Sequence, residues 1–205
     1  LFAHSRRSFH APNVAKVDAL DMDNNVGDKI IFGIVSSNIP KKGIADFIEV
    51  ARRVEATTPN ALFRIIGPDN AYVGELRAAG LPANLEFAGY ADTPTEAMAQ
   101  LNVLLALSHF AESFGRTVAE AQAARRPVIA YRWGAVPELV DDNQTGFLVD
   151  HKDIDGVVDR VRLLCENPTR IPALGEAGRI KILRQFAPVV LRNNLRHAMS
   201  AILNE

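Results

Sequence analysis

The chain of 205 residues holds a single cysteine, Cys165. An internal disulfide is excluded, and so is a cage of thiolates around a metal. A reducing, cytoplasmic setting is the simplest expectation. An excess of either charge is also missing, since 23 Lys and Arg stand against 24 Asp and Glu. That balance leaves no electrostatic footprint for nucleic acid or an anionic membrane surface. No apolar run approaches the roughly 20 residues that span a bilayer. His4, His10, His151 and His197 have no ligand spacing to one another or to acids, so no metal site is expected. Internal repeats and low-complexity stretches are absent as well.

What is present is ordinary globular material: 48 % hydrophobic and 23 % charged residues, enough for a sizeable core. Residues 1–28 show no clear periodicity. They carry Arg6 and Arg7 but lack the apolar segment and small-residue cleavage site of a targeting peptide. They are expected to be a linker or fragment edge. From Lys29 onward, short apolar runs alternate with helical patterns. Strands are expected at 29–35, 62–66, 85–88, 102–107, 127–131 and 146–149. Between the first two, Ile44, Phe47, Ile48, Ala51 and Val54 recur at helical spacing. Thr93 and Pro94 offer an N-cap and a first-turn proline for another helix. Further helices are expected at 117–125, 136–140, 154–165 and 173–185.

This alternation predicts an α/β fold: a Rossmann-like, doubly wound parallel sheet of about six strands with helices on both faces. Such a body covers 29–187. Residues 188–205 read as a separate C-terminal amphipathic helix striped by Leu191, Leu195, Met199 and Ile202. The stripe packs either on its own domain or against a partner domain. Ligands of such sheets bind beyond the carboxyl ends of the strands. The important loops therefore follow Val35, Gly67, Gly89, Leu107 and Tyr131.

Chemistry concentrates between Ser108 and Glu120, where a strand end runs into a helix N-terminus. Free backbone N–H groups and the helix dipole favour an anion there, and Gly115 permits close approach of the backbone. Glu112 precedes the turn, and Glu120 lies one turn into the helix. A phosphate held at Gly115, Arg116 and Thr117 would sit between two carboxylates, each a strong acceptor for sugar hydroxyls. One sugar on each side of a diphosphate is the shape of a nucleotide sugar. Glu112 also admits a plainer role as a cap of the helix N-terminus, and His109 either lines a sugar pocket or packs.

The string Glu112-Ser-Phe-Gly-Arg-Thr-Val-Ala-Glu120 is similar to the Glu-x7-Glu motif of family-4 retaining glycosyltransferases, which have the two-domain GT-B fold. The resemblance continues through 121–130, Gly134-Ala-Val-Pro-Glu-Leu-Val140 and Thr145-Gly-Phe-Leu-Val149, and upstream through Lys42-Gly43. It implies half of a GT-B enzyme, a donor-binding domain whose acceptor site lies on an N-terminal domain not included in this sequence. Membrane association, if any, would come through that domain. It implies a nucleotide diphosphate sugar as donor substrate, retention of configuration, and no permanently bound cofactor. Glu112 would hold the transferred sugar and Glu120 the ribose. Lys42 would pair with the diphosphate, and Phe114 to Thr117 would offer it backbone donors. Gly89, Tyr90 and Ala91 would contact the base. The family usually has an Arg five residues before the Lys, and here that position is Ser37, with Arg116 available to compensate. Trp133 stands where a small polar loop is commoner, so it either covers the site or packs. Two other classes stay in view. One is a non-catalytic nucleotide-binding or interaction module. The other is a dinucleotide-dependent oxidoreductase, which Ser36-Ser-Asn-Ile-Pro-Lys-Lys42 disfavours by standing where a Gly-x-Gly-x-x-Gly turn is needed.

Overall fold

The computed structural model describes residues 20–203. Residues 1–19 of the expected leading segment, with His4 and His10, lie outside them. In chain order the elements are β1 (Ile30–Val35), a 3-10 turn (Pro40–Lys42), α1 (Ile44–Val54), β2 (Ala61–Ile66), α2 (Ala71–Ala78) and β3 (Leu85–Gly89). Then come α3 (Pro94–Ala99), β4 (Val103–Ala106), α4 (Arg116–Ala123), β5 (Val128–Tyr131), α5 (Val136–Leu139) and β6 (Gly146–Val149). The described chain ends with α6 (Ile154–Glu166), α7 (Arg170–Phe186) and α8 (Pro188–Leu203).

The six strands form one parallel sheet in the order β3-β2-β1-β4-β5-β6. This is the doubly wound arrangement expected, with helices covering both faces. On one face Phe32, Phe63 and Phe47 pack with Ile44, Val161 and Leu164 of α1 and α6. Phe32 and Phe63 stack at 5.4 Å across the β1–β2 pair. On the other face Met98, Leu104, Ala119, Ala121, Leu139 and Ile182 join α3, α4, α5 and α7. The short strands β5 and β6 are buried along their whole length. That explains why they read as unbroken apolar runs rather than alternating ones.

Helix starts follow local chemistry. The Asn70 side chain accepts from the Val73 N–H at the start of α2, Thr93 accepts from Glu96 at α3, and Asp153 accepts from Gly156 at α6. The starts of α1 and α4 differ. Both have a glycine in the left-handed region, Gly43 and Gly115, and neither has a side-chain cap.

Residues 20–28, expected as part of a linker, lie against the body. Leu20 is buried, Arg179 donates to its carbonyl, and Arg126 donates to the Asp23 carbonyl at 2.8 Å. Asn24 donates to Asn102 and Arg125 carbonyls. The segment has no periodicity because donors on the body satisfy its backbone, not a regular element of its own. Between α7 and α8 the chain breaks at Ala187, which is in extended conformation. Leu195 and Met199 of α8 are 46 % and 60 % exposed, so that part of the stripe does not pack on this domain. The side chains of Leu191 and Ile202 lie outside the description.

Gly43 couples the Lys42 turn to α1. Its φ is +77°, and an added Cβ would lie 1.9 Å from the Leu107 carbonyl oxygen, at the end of β4. Gly43→Ala is expected to cost at least about 1–2 kcal/mol from the left-handed backbone alone. The clash with backbone adds to that, so thermal unfolding is expected to shift down by more than about 4 °C. An unchanged midpoint would show that this contact is not a fixed feature of the fold.

Candidate functional site

In a doubly wound sheet, a crevice opens where neighbouring strands send their connections to opposite faces. Here that point lies between β1 and β4, which are adjacent in the sheet. A cavity of about 300 Å³ lies there, within the size range of small-molecule sites. Ser36 and Lys42 line it from the connection after β1, and Ser108, Phe110 and Glu112 from the connection after β4. Gly115, Arg116, Thr117 and Val118 line it from the start of α4, and Tyr131, Trp133 and Val136 from the end of β5 and beyond.

The α4 terminus is suited to an anion. Gly115 turns the chain with φ +85°, and the first turn contains no acidic side chain. Its leading N–H groups are therefore free of a side-chain acceptor. Arg116 is 82 % exposed at its side chain, with Nε 3.6 Å from Glu120 Oε1. That is too long for a hydrogen bond, so the guanidinium is not committed to Glu120.

Lys42 Nζ donates to Glu112 Oε1 at 2.5 Å, with both side chains 27 % exposed. The two residues lie 70 positions apart in sequence, and the pair closes the gap between the β1 and β4 connections. A second set of bonds crosses the same gap. His109 N and Ser108 Oγ both donate to the Lys41 carbonyl. Asp46, in the first turn of α1, accepts from Tyr131 Oη at 2.6 Å and from His109 Nε2 at 2.7 Å. A carboxylate only accepts, so His109 carries its proton on Nε2. Burial and the Asp46 charge push the Tyr131 phenol far above its ordinary range, which keeps it a donor. Asp46 therefore ties the Lys42 turn to the ends of both β4 and β5.

Of the residues selected from sequence, Lys42, Glu112, Gly115, Arg116 and Thr117 share this cavity. His109 packs beside it on Asp46 instead of lining it. Ser37 is exposed, and its neighbour Ser36 lines the cavity. The Phe114 ring is partly buried and packs 5.8 Å from Phe186, and Phe114 is not among the residues that line the cavity. Gly89 ends β3 in the left-handed region and accepts from Gly67 N–H, and Tyr90 beside it is 71 % exposed. Glu120, one turn into α4, is not among the residues that line the cavity, and its side chain is 16 % exposed. Sequence reasoning missed Asp46, whose signal was its place one helical turn beyond Lys42. It also missed the pairing of Trp133 with His151, which no local pattern encodes.

The fold is that of GT-B glycosyltransferases. Residues 19–181 match the family described as glycosyl transferases group 1, and the chain belongs to that family. A curated relative is the poly(ribitol-phosphate) alpha-N-acetylglucosaminyltransferase of Staphylococcus aureus (strain COL). It is 26 % identical over 161 residues, covering 77 % of this chain and 32 % of the relative. A GDP-mannose-dependent monoacylated alpha-(1-6)-phosphatidylinositol monomannoside mannosyltransferase of Corynebacterium glutamicum is 29 % identical over 177 residues, covering 80 % and 45 %. The chain thus spans about a third to a half of the length of these relatives. Among solved structures, the C-terminal domain of the group 1 glycosyl transferase LpcC from Francisella tularensis superposes with TM-score 0.70 at 22 % identity, over 84 % of this chain and 98 % of that one. No helix among the described residues is long and apolar enough to cross a membrane.

Burial raises the Glu120 carboxyl above its ordinary value, outweighing the lowering by Arg116. A raised pKa in the fold means that ionisation is disfavoured there. The stabilising contribution is complete below the unfolded value, about 4.3, and is lost as pH rises through the folded one. Glu120→Gln, uncharged throughout, is therefore expected to melt higher than the parent at pH 7. The advantage should vanish below about pH 4. A melting series from pH 3.5 to 8 checks this, and a difference that does not vary with pH contradicts it.

Proposed function

We propose that this chain is the donor-binding domain of a retaining glycosyltransferase that moves a sugar from a nucleotide diphosphate sugar to an acceptor. The acceptor site belongs to an N-terminal domain of the full-length enzyme. The carrying observation is a single cavity lined at once by the uncapped start of α4, by Lys42 and by Glu112. The diphosphate occupies the α4 terminus, where Gly115, Arg116 and Thr117 supply backbone donors. Lys42 neutralises its charge, and Arg116 supplies the second cation that Ser37 cannot. Glu112 accepts from hydroxyls of the transferred sugar, Glu120 from the ribose, and Gly89 with Tyr90 flanks the base. Near-complete superposition on the LpcC C-terminal domain supports the half-enzyme reading. The HepE protein of Anabaena, crystallised with UDP and glucose, has the same fold at TM-score 0.73 and 22 % identity, which supports a nucleoside diphosphate in this cleft. A cytoplasmic setting goes with this reading.

Lys42 and Glu112 form an ion pair. Donor binding exchanges that ion pair for two separate contacts, Lys42 with phosphate and Glu112 with sugar.

A non-catalytic nucleotide-binding or interaction module is the second reading, favoured by the exposed, uncharged Ser37. Calorimetric titration with UDP, GDP and ADP separates the two. The donor-domain reading expects one of them to bind and the chain alone to transfer little or no sugar. Lys42→Ala and Arg116→Ala are each expected to weaken that binding about tenfold to a hundredfold, the range for losing one charge-assisted hydrogen bond. Failure of all three nucleotides to bind favours the interaction role. Unchanged affinity in Arg116→Ala removes its compensating part.

A further inference from the structure

The cavity has an aromatic wall that the nucleotide and phosphate contacts leave unused. Trp133 lines it and is 41 % exposed, the only tryptophan of the chain. His151, just beyond β6, lies parallel to the indole at 4.5 Å and 5°. It is seated in turn against Tyr131 at 5.6 Å and His109 at 5.9 Å. His151 Nε2 is buried with no hydrogen-bond partner, so the ring contacts fix its position. Trp133 N–H donates to the Tyr131 carbonyl at 2.8 Å, which fixes the backbone under the indole. One face of the indole is thus covered and held. Trp133 is among the residues that line the cavity, and His151 behind it is not.

The location of this wall selects its ligand. The connection carrying Trp133 is tied to Glu112: Ala135 N–H donates to the Glu112 carbonyl at 2.9 Å. At Gly134 a Cβ would come within 2.7 Å of the Glu112 backbone. In the sheet order, the end of β5 flanks β4 on the side away from β1 and β2. Trp133 therefore stands beside Glu112, on the β5 side of the cavity. A pyranose offers a C–H face and a rim of hydroxyls. A held aromatic surface beside a carboxylate matches both, the indole taking the apolar face and Glu112 the hydroxyls.

We propose that Trp133, braced by His151, is the wall against which the transferred sugar of the donor rests, and so a residue that selects among donor sugars. This rests on the donor-domain reading above. Trp133 emission reports on the contact directly, because no other tryptophan contributes. The test titrates the 205-residue chain with UDP, GDP and ADP and with UDP-glucose, GDP-mannose and ADP-glucose, following fluorescence and calorimetric heat together. The expected result is that the sugar nucleotide of the preferred base changes Trp133 emission, while the matching nucleoside diphosphate binds with little change. Trp133→Ala is expected to weaken that sugar nucleotide about threefold to tenfold relative to its diphosphate, and Trp133→Phe to restore most of the difference. Heat of binding with no emission change on adding the sugar overturns the proposal and leaves the donor-domain reading standing. So does an equal emission change with the diphosphate. Absence of binding by all six ligands overturns both.

Discussion

The rest of this structure depends on the divergence of the chain at β1 and β4. These strands are neighbours and run parallel, yet the connection from β1 leads out through α1 to β2 while that from β4 leads through α4 to β5. The two connections leave by opposite faces, so nothing fills the space between their origins. Gly43 and Gly115 make the turns at this point in the left-handed region, without side-chain caps. Close packing of Gly43 on Leu107 brings the two walls of the crevice together. The uncapped start of α4 then opens into it with unpaired N–H groups and the positive end of a helix dipole.

A crevice between two loops needs bracing, and the side chains that brace it are polar. Asp46 accepts from both His109 and Tyr131, and Lys42 pairs with Glu112. These three contacts join α1 and its preceding turn to the ends of β4 and β5. Their energetic roles differ. The Asp46 bond to the buried Tyr131 holds geometry, whereas Lys42 and Glu112 are partly open to solvent and can exchange partners. Glu120 adds a third kind of polar group, a carboxyl whose burial opposes its own charge. A fold that keeps such a group partly buried gives up stability at neutral pH.

Much of this was legible in the chain itself. The six strands followed from short apolar runs bounded by Gly, Pro and Asn. β5 and β6 were easy to place because strands buried on both faces are continuously apolar. The α4 start was legible because Gly115 stands between a strand end and a helical stretch. Residues 20–28 were not legible, because side chains of Arg126, Asn102 and Arg179, from distant parts of the chain, donate to their backbone carbonyls. The choice between Ser36 and Ser37 was also closed to sequence. The two are adjacent and chemically identical, and only the exit direction of the backbone from β1 separates them.

The sequence by itself determined the class of fold and the family. Periodicity records which faces are buried, and the string from Glu112 to Glu120 records a turn and a helix start in a contiguous stretch. Tertiary structure alone decided which side chains meet. Lys42 and Glu112 are 70 positions apart, Asp46 and Tyr131 are 85 apart, and the Trp133–His151 stack joins the ends of two strands. Parallel strands bring distant segments side by side at one edge of the sheet, and no local pattern records that meeting. The cleft is built from such meetings, and so its polar braces and its aromatic wall came into view only with the fold.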